Sequence, residues 1–270
     1  MAEMEIALQA AKKAGALLAE RVGKIERLDY KGAFNIVTDV DRASEALIIQ
    51  TIFDAFPDDD FLGEEGGLSA DALSSIASKK TATSNNRRWI IDPLDGTTNF
   101  AHSYPFFAVS IAFEYDGLIQ CGVVFNPMAD ETFAAERGKG AFLNGKPLKV
   151  SSIDQIDKSL LATGFPPDTL KSFDDNMATF KMLTNESHGV RRDGSAALDL
   201  AFVASGRLDG FWERKLSPWD IAAGSLIVAE AKGRVSNLEG GLLDMSTGHI
   251  IASNGLIHDD IVSSIARAAT

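Results

Sequence analysis

Trp89-Ile90-Ile91-Asp92-Pro93-Leu94-Asp95-Gly96-Thr97-Thr98-Asn99-Phe100 is the stretch around which the rest of the chain can be placed. Arg88 to Ile91 is an apolar run carrying a tryptophan and two β-branched residues, the composition of a short buried strand. Proline has no amide donor and keeps its predecessor extended, so the strand is expected to stop at Asp92-Pro93 with a stiff exit. Two carboxylates (Asp92, Asp95), two hydroxyls (Thr97, Thr98), a glycine and an asparagine then crowd together. Hard divalent cations want such oxygens: magnesium takes them at about 2.1 Å in a near-octahedral set. A helix opened by Gly96-Thr97-Thr98 would offer its first amides to a phosphate. The same residues also spell ordinary turn chemistry, with Pro at the second turn position and Asp-Gly closing it.

Two further motifs bear on that choice. Gly63-Glu64-Glu65 places adjacent carboxylates after the short apolar piece Phe61-Leu62, although two glutamates between glycines also make a solvated loop. Pro218-Trp219-Asp220 precedes an almost wholly apolar helix, with Asp220 at the N-cap position, where a cap alone would account for it. Glu64, Asp92, Asp95 and Asp220 thus each stand at the mouth of a buried element. Carboxylates brought together raise one another's pKa, and such a cluster persists when cations occupy it. Two magnesium ions sharing them would stabilise charge on a phosphate oxygen, on the attacking water and on the leaving oxygen. Zinc fits poorly: His102, His188, His249 and His258 are scattered without ligand spacing and read as surface or core residues. Cys121 sits alone in an apolar run, and no Gly-x-Ser-x-Gly elbow supports a serine nucleophile.

The chain has 270 residues and a mass of 28.9 kDa, which suits one large domain or two tightly packed halves. A net charge of −12 opposes non-specific nucleic-acid binding but not an anionic substrate, because a bound cation inverts the local charge. The acidic N-terminus and the lack of an apolar run near the ~20 residues of a membrane span point to a soluble, cytoplasmic protein with no membrane contact. Residues 3–22 show a helical repeat, 25–30 look extended, 31–35 form a glycine-bearing loop, and a second helix runs from Thr38 to about Phe56. Residues 69–87 read as an exposed loop. Strands over 106–115 and 118–125 meet at Asp116-Gly117, a strong hairpin signal, and 131–137 with the flanks of Asn144-Gly145 continue the antiparallel pattern. Beyond about residue 150, strands at 160–163 and 208–212 alternate with helices at 170–184, 196–204 and 221–231. Strands first and alternation later imply a layered α/β or α+β body, an N-terminal α+β half (about 1–150) joined to a C-terminal α/β half (about 151–270) in one unit.

The three motifs, in this order and at these separations, resemble the inositol monophosphatase family over essentially the whole chain. The resemblance implies the αβαβα sandwich shared with fructose-1,6-bisphosphatase, and a phosphomonoesterase that converts myo-inositol 1-phosphate and water to myo-inositol and phosphate. It further implies two to three Mg²⁺ ions, inhibition by Li⁺, and a homodimer. By that resemblance Glu64, Asp92 and the Leu94 carbonyl hold a first metal, and Asp92, Asp95 and Asp220 a second. Glu64 and Thr97 activate water, with Asp41 bonded to Thr97. Gly96 and Thr97 amides take the phosphate of a small phosphorylated polyol, while Glu213, Ala196 and Asp220 meet its hydroxyl-bearing part. Arg191 falls in the stretch of substrate or dimer contacts and Lys31 in the mobile loop. The chain departs from the animal enzymes at Ser217, where they carry histidine, and at Phe165-Pro166-Pro167; Arg191 to Ala197 resembles the bacterial branch. Fructose-1,6-bisphosphatase or nucleotide 3′-phosphatase activity is the nearest alternative, though no basic cluster stands out beside the motifs. A regulatory binding protein is the alternative from another class.

Overall fold

Alternation in the central strands sets the architecture. The computed structural model describes residues 1–25, 27–30, 36–66, 86–165 and 173–269, without the side chains of residues 30 and 173–175. Helix α1 (Ala2–Arg21) leads through the pair β1 (Leu28–Tyr30) and β2 (Ile36–Thr38) into helix α2 (Asp39–Phe53). Strands β3 (Asp60–Gly63), β4 (Arg87–Asp95), β5 (Ala108–Tyr115), β6 (Leu118–Asn126), β7 (Glu131–Glu136), β8 (Gly140–Leu143) and β9 (Lys146–Pro147) lie side by side in chain order. β3 runs parallel to β4, and every later neighbour is antiparallel. Asp116 and Gly117 both take positive φ at the β5–β6 turn, as do Asn144 and Gly145 between β8 and β9, which is the hairpin geometry their sequences announce.

Trp89, Ile91, Val109, Ile111, Phe113, Cys121, Val123 and Phe125 point to one face of this sheet, where Ala7, Ala10, Ala14 and Leu18 of α1 and Ile48, Ile49 and Ile52 of α2 cover them. Ile90, Ala108, Ala112 and Val124 point to the other face. Both faces are buried, which is why β4 to β6 read as continuous apolar runs. The second half forms a sheet of β10 (Leu160–Thr163), β11 (Gly189–Arg191), β12 (Gly210–Glu213), β13 (Arg234–Ser236) and β14 (Ile250–Ser253) in the order β11-β10-β12-β14-β13. Between the two sheets lie α5 (Ala196–Ala204) and α6 (Pro218–Glu230), packed on Ile90 and Val124 from one side and Ala162, Phe211 and Ala252 from the other. A helix between two apolar sheets has no solvent stripe, which accounts for the unbroken apolar run of α6. Leu183 of α4 (Phe173–Glu186) and Ile261 and Ile265 of α7 (His258–Ala268) cover the outer face at Leu161, Trp212 and Ile251. The layers are therefore αβαβα, as the family resemblance implies. Among the described residues, no helix is long and apolar enough to cross a membrane.

One local expectation is corrected. β4 does not end at Asp92-Pro93 but runs on to Asp95. Asp92 pairs with Ser110 and Asp95 with Ala108, so one extra residue bulges out of β4 between them. Proline, with no amide to give the ladder, is tolerated inside a strand at such a bulge. The short strands β11, β13 and β14 carry only three or four residues each, too few for periodicity to separate strand from loop, whereas helix α7, with Ile257, Ile261 and Ile265 four apart, adds an element that the expected order lacks.

At Gly122 of β6 the sheet packs directly on α6: a Cβ there would fall 2.9 Å from the Ala223 backbone. Gly122→Val is expected to destabilise by about 1–3 kcal/mol through overpacking, at about 2–4 °C of melting temperature per kcal/mol for a chain of this size. Calorimetry showing an unchanged melting temperature would mean that the two layers are not in rigid contact.

Candidate functional site

The parallel pairing of β3 with β4 fixes the first relation of the site. Gly63 lies opposite Ile91, and the Glu64 amide donates to the Ile91 carbonyl at 3.3 Å, which brings Glu64 beside Asp92. The bulge then turns Asp92 and Asp95 toward the same end of the sheet. Asp92 Oδ1 accepts from the Leu94 amide at 3.0 Å, and the Pro93 carbonyl accepts from Ser44 Oγ of α2 at 2.8 Å. After β4, Gly96 takes φ +93 and caps the short helix α3 (Thr97–Ala101). A side chain at Gly96 would meet the Phe106 and Gly194 carbonyls at 3.0 and 3.2 Å, so the backbone approach itself demands glycine. Asn99 Nδ2 donates to the Phe106 and Asp193 carbonyls, each at 2.7 Å, and clamps α3 to the loop before α5. No local pattern around Asn99 announces that task.

Asp95 reaches across the layers. Its Oδ2 accepts from Ser195 Oγ at 2.6 Å and from the Ala197 amide at 2.7 Å, while Ser195 also caps α5 as its sequence suggests. Asp220 is placed differently from expectation. Ser217 is the N-cap of α6, Pro218 its first residue, and Asp220 stands one turn in, closing a capping box by accepting from the Ser217 amide at 2.7 Å. Asp41 lies in the first turn of α2, where Thr38 donates to it through both its amide and its hydroxyl. It also accepts from Thr97 Oγ1 at 2.9 Å. Thr97 Oγ1 is 3.1 Å from the Leu94 carbonyl as well, and a single hydroxyl proton serves one of the two at a time.

A cavity of about 460 Å³ opens over these residues, lined by Glu64, Asp95, Gly96, Thr97, Asp199, Glu213 and Asp220 among others. Asp92 is buried beneath it. Ala196 lines the wall, and a Cβ on Gly164 would fall 2.2 Å from Glu213 Oε2, so a bare backbone seats the Glu213 carboxyl. Arg191 does not line the cavity: it is exposed on the edge strand β11, and its neighbour Arg192 takes the place at the wall. Lys215, with φ +60, lines the cavity too. The sequence shows no basic cluster beside the motifs, and these two cations reach the cavity singly, from two separate loops. Lys31 and the loop 69–85 lie outside the described residues, as do Pro166 and Pro167.

Burial pushes the Asp92 carboxyl well above the usual range, and repulsion from Glu64, Asp95 and Asp220 adds to it. Asp220 is raised in the same way, first by burial and then by Asp95 and Glu64, and it shares a hydrogen bond with Asp92. Asp95 is raised by burial but held to about 6 by the bonds from Ser195 and Ala197. Burial likewise lifts Glu213, with Asp220 and Asp95 adding and Arg192 opposing. Among the described residues, no three His, Cys, Asp or Glu side chains are grouped tightly enough to hold an ion as they stand. The donors that face one another here are nonetheless all oxygens, from carboxylates, a carbonyl and a hydroxyl. They fit a hard divalent cation in chemistry, and a cation relieves the repulsion they carry. His258 is buried between Ser236 Oγ and Ser253 Oγ, at 2.8 and 2.9 Å, and Cys121 is buried with its thiol pushed up to about 12, so both are core residues.

The sequence model of the Inositol monophosphatase family matches residues 2–269. Inositol-1-monophosphatase of Synechocystis is 46% identical over 97% of this chain and 88% of its own length. A Pseudomonas aeruginosa protein named Nus factor SuhB is 44% identical over 93% of this chain and 91% of its own. The solved structure of inositol monophosphatase from Anabaena superposes with a TM-score of 0.85 at 42% identity, over 98% of this chain and 96% of that one. With the same layers and a carboxylate-rich cavity at the end of β4, the chain belongs to the inositol monophosphatase family and is a phosphatase.

Proposed function

We propose that the chain is a Mg²⁺-dependent phosphomonoesterase acting on inositol monophosphates, by in-line attack of water on phosphorus. The observation that carries this reading is the set of mutually repelling carboxyls, Asp92 buried and Asp95 and Asp220 half-buried, beside Glu64, at one cavity with the Thr97–Asp41 pair. Glu64, Asp92 and the Leu94 carbonyl would hold one ion, and Asp92, Asp95 and Asp220 another. Bound magnesium polarises a phosphate ester and lowers the pKa of water, work worth several kcal/mol. Asp41 accepts a hydrogen bond from Thr97 Oγ1, which would leave a lone pair of that oxygen to accept one hydrogen bond from the attacking water while Glu64 accepts the other and takes up the proton as the water attacks. The Gly96 and Thr97 amides receive phosphate oxygens at the start of α3. Ala196, Glu213 and Asp220 meet the leaving alcohol. Arg191, exposed on β11, would serve contact between the two subunits of a homodimer. The whole chain, 1–270, forms one unit in this proposal, its two halves joined by the core cluster that draws on both sheets. Lithium would inhibit by competing for a magnesium position, and the cytoplasm would be the site of action.

Arg192 and Lys215 at the cavity wall favour a second reading within the same chemistry, a substrate with a further anionic group such as fructose 1,6-bisphosphate or a nucleotide 3′-phosphate. The relative named a Nus factor favours a third, a non-catalytic binding role alongside catalysis. Phosphate release should be measured from inositol 1-phosphate, fructose 1,6-bisphosphate, 2′-AMP and 3′-phosphoadenosine 5′-phosphate, with and without Mg²⁺ and Li⁺. Inositol 1-phosphate is expected to turn over fastest and only with magnesium; preference for a bisphosphate would move the substrate assignment to the second reading. Asp92→Asn is expected to lower turnover by more than about a hundredfold, since the lost charge stabilisation is worth several kcal/mol, with the circular dichroism unchanged. Full activity in that variant would remove the mechanism.

Stability should report the same cluster. Asp92, Asp220, Glu213 and Asp199 are raised well above their unfolded value, so the folded chain holds protons that the unfolded chain does not. Their contribution is fully present at low pH and is lost as pH rises through the folded values. His258, lowered to about 4, acts oppositely and only below its unfolded value near 6.5. Between pH 6.5 and 8 the metal-free melting temperature is therefore expected to fall as pH rises, and saturating Mg²⁺ to raise it and flatten the slope. A metal-free curve that rises over this window would contradict the desolvated cluster.

A further inference from the structure

Helix α2 turns Asp41, Ser44, Glu45, Ile48, Ile49 and Ile52 toward the large sheet, at the i, i+3, i+4 spacing of a core stripe. All six are buried. The last three are the apolar residues that such a stripe calls for, but the first three, at the end nearest the cavity, are polar. A polar group in a core position costs stability unless the fold gives it a task. Asp41 has two, closing the capping box of α2 and accepting from Thr97. Glu45 stands a turn further in, beyond the amides that a helix start leaves to be capped.

Each of the three polar side chains touches a different segment of the site. Asp41 bonds Thr97 at the start of α3, and Ser44 Oγ donates to the Pro93 carbonyl, between Asp92 and Leu94, at 2.8 Å. Glu45 Oε1 accepts from the Glu65 amide at 3.1 Å, directly beside Glu64. The Glu45 carboxyl lies over Gly63, where a Cβ would run into its Oε1. Gly63 does not take a positive φ, so the bare backbone at this position serves to seat the carboxyl. Glu64 follows Gly63 in the turn that leaves β3, and the chain is exposed again at Gly66. β3 is the edge strand of its sheet, so this turn has a neighbouring strand on one side and α2 as its other support.

We propose that Glu45 is a positioning residue: through the Glu65 amide it fixes the turn that carries Glu64, and so sets how tightly Glu64, Asp92 and the Leu94 carbonyl hold magnesium. This rests on the Mg²⁺-dependent reading given above. A carboxylate that accepts from a backbone amide makes one of the stronger hydrogen bonds. Side chains that orient metal ligands without touching the metal are worth about ten- to a hundredfold in metal affinity or activity. The polar end of the α2 stripe is then explained as the common support of three ligand-bearing segments.

The test measures Mg²⁺ binding by titration calorimetry on the substrate-free protein, beside the Mg²⁺ concentration that half-saturates phosphate release from inositol 1-phosphate. Glu45→Ala is expected to weaken both about tenfold. Glu45→Gln keeps an oxygen for the Glu65 amide and is expected to stay within about threefold of wild type. Gly63→Ala is expected to weaken Mg²⁺ binding as Glu45→Ala does, because its methyl group displaces the carboxyl from its seat. The double variant is expected to bind no more weakly than Glu45→Ala alone, since both changes remove the same contact. If Glu45→Ala does not fold, Glu45→Asp, with its shorter side chain, takes its place with the same expectation. Unchanged Mg²⁺ affinity in the folded variant overturns the proposal, and a lowered metal-free melting temperature beside it marks Glu45 as structural. Losses that add in the double variant overturn it too. A wild-type protein that binds no Mg²⁺ and hydrolyses inositol 1-phosphate no faster in its presence removes the metal-dependent reading itself, and the proposal with it.

Discussion

Asp95 accepts from Ser195 Oγ and the Ala197 amide across 100 and 102 residues of sequence, and the rest of the site depends on that contact. It fastens the end of β4 to the start of α5, and so holds the large sheet against the helical layer at the cavity. Hydrogen bonds to a charged group contribute about 1.5–3 kcal/mol each, and they hold Asp95 to about 6 although burial pulls it upward. Asp92 accepts from the Leu94 amide and shares a bond with Asp220, itself a raised carboxyl, and stays well above the ordinary range. Two aspartates of one motif are thus given different environments by what faces them. One is anchored to another layer, and the other is left to whatever charge arrives.

Much of this is legible in the order of the amino acids. The apolar strand, the oxygen-rich end, Gly63-Glu64-Glu65 and the apolar helix behind Asp220 each carry a local signal, and Ser195 announces α5 through ordinary capping chemistry. The two positive-φ hairpins follow from Asp-Gly and Asn-Gly. The layered fold follows from the order of elements together with the family resemblance.

What the chain does not reveal has a common cause. The bulge at Pro93 depends on how β4 meets β5, and the placing of Asp220 one turn inside α6 depends on whether Ser217 or Asp220 caps it. Both capping choices agree with composition alone. Arg192 and Lys215 come to one wall from the loop after β11 and the loop after β12, so no local pattern could pair them. The exchange of Arg191 for its neighbour turns on strand alternation at an edge of three residues.

The meander from β4 to β9 has a kinetic meaning. Each of its strands pairs with its neighbour in sequence, so every step closes a short loop. The contacts that complete the cavity close loops of 56 residues from Asp41 to Thr97 and 100 from Asp95 to Ser195. Loop-closure entropy grows with the logarithm of length, and contacts distant in sequence form slowly. The large sheet can therefore assemble as a scaffold, with Glu64, Asp92 and Asp95 already at its end, while Asp220 and Glu213 join them only when the later layers have packed. A nascent or partly unfolded chain would have its sheet but no site, which ties the appearance of function to the last stage of folding.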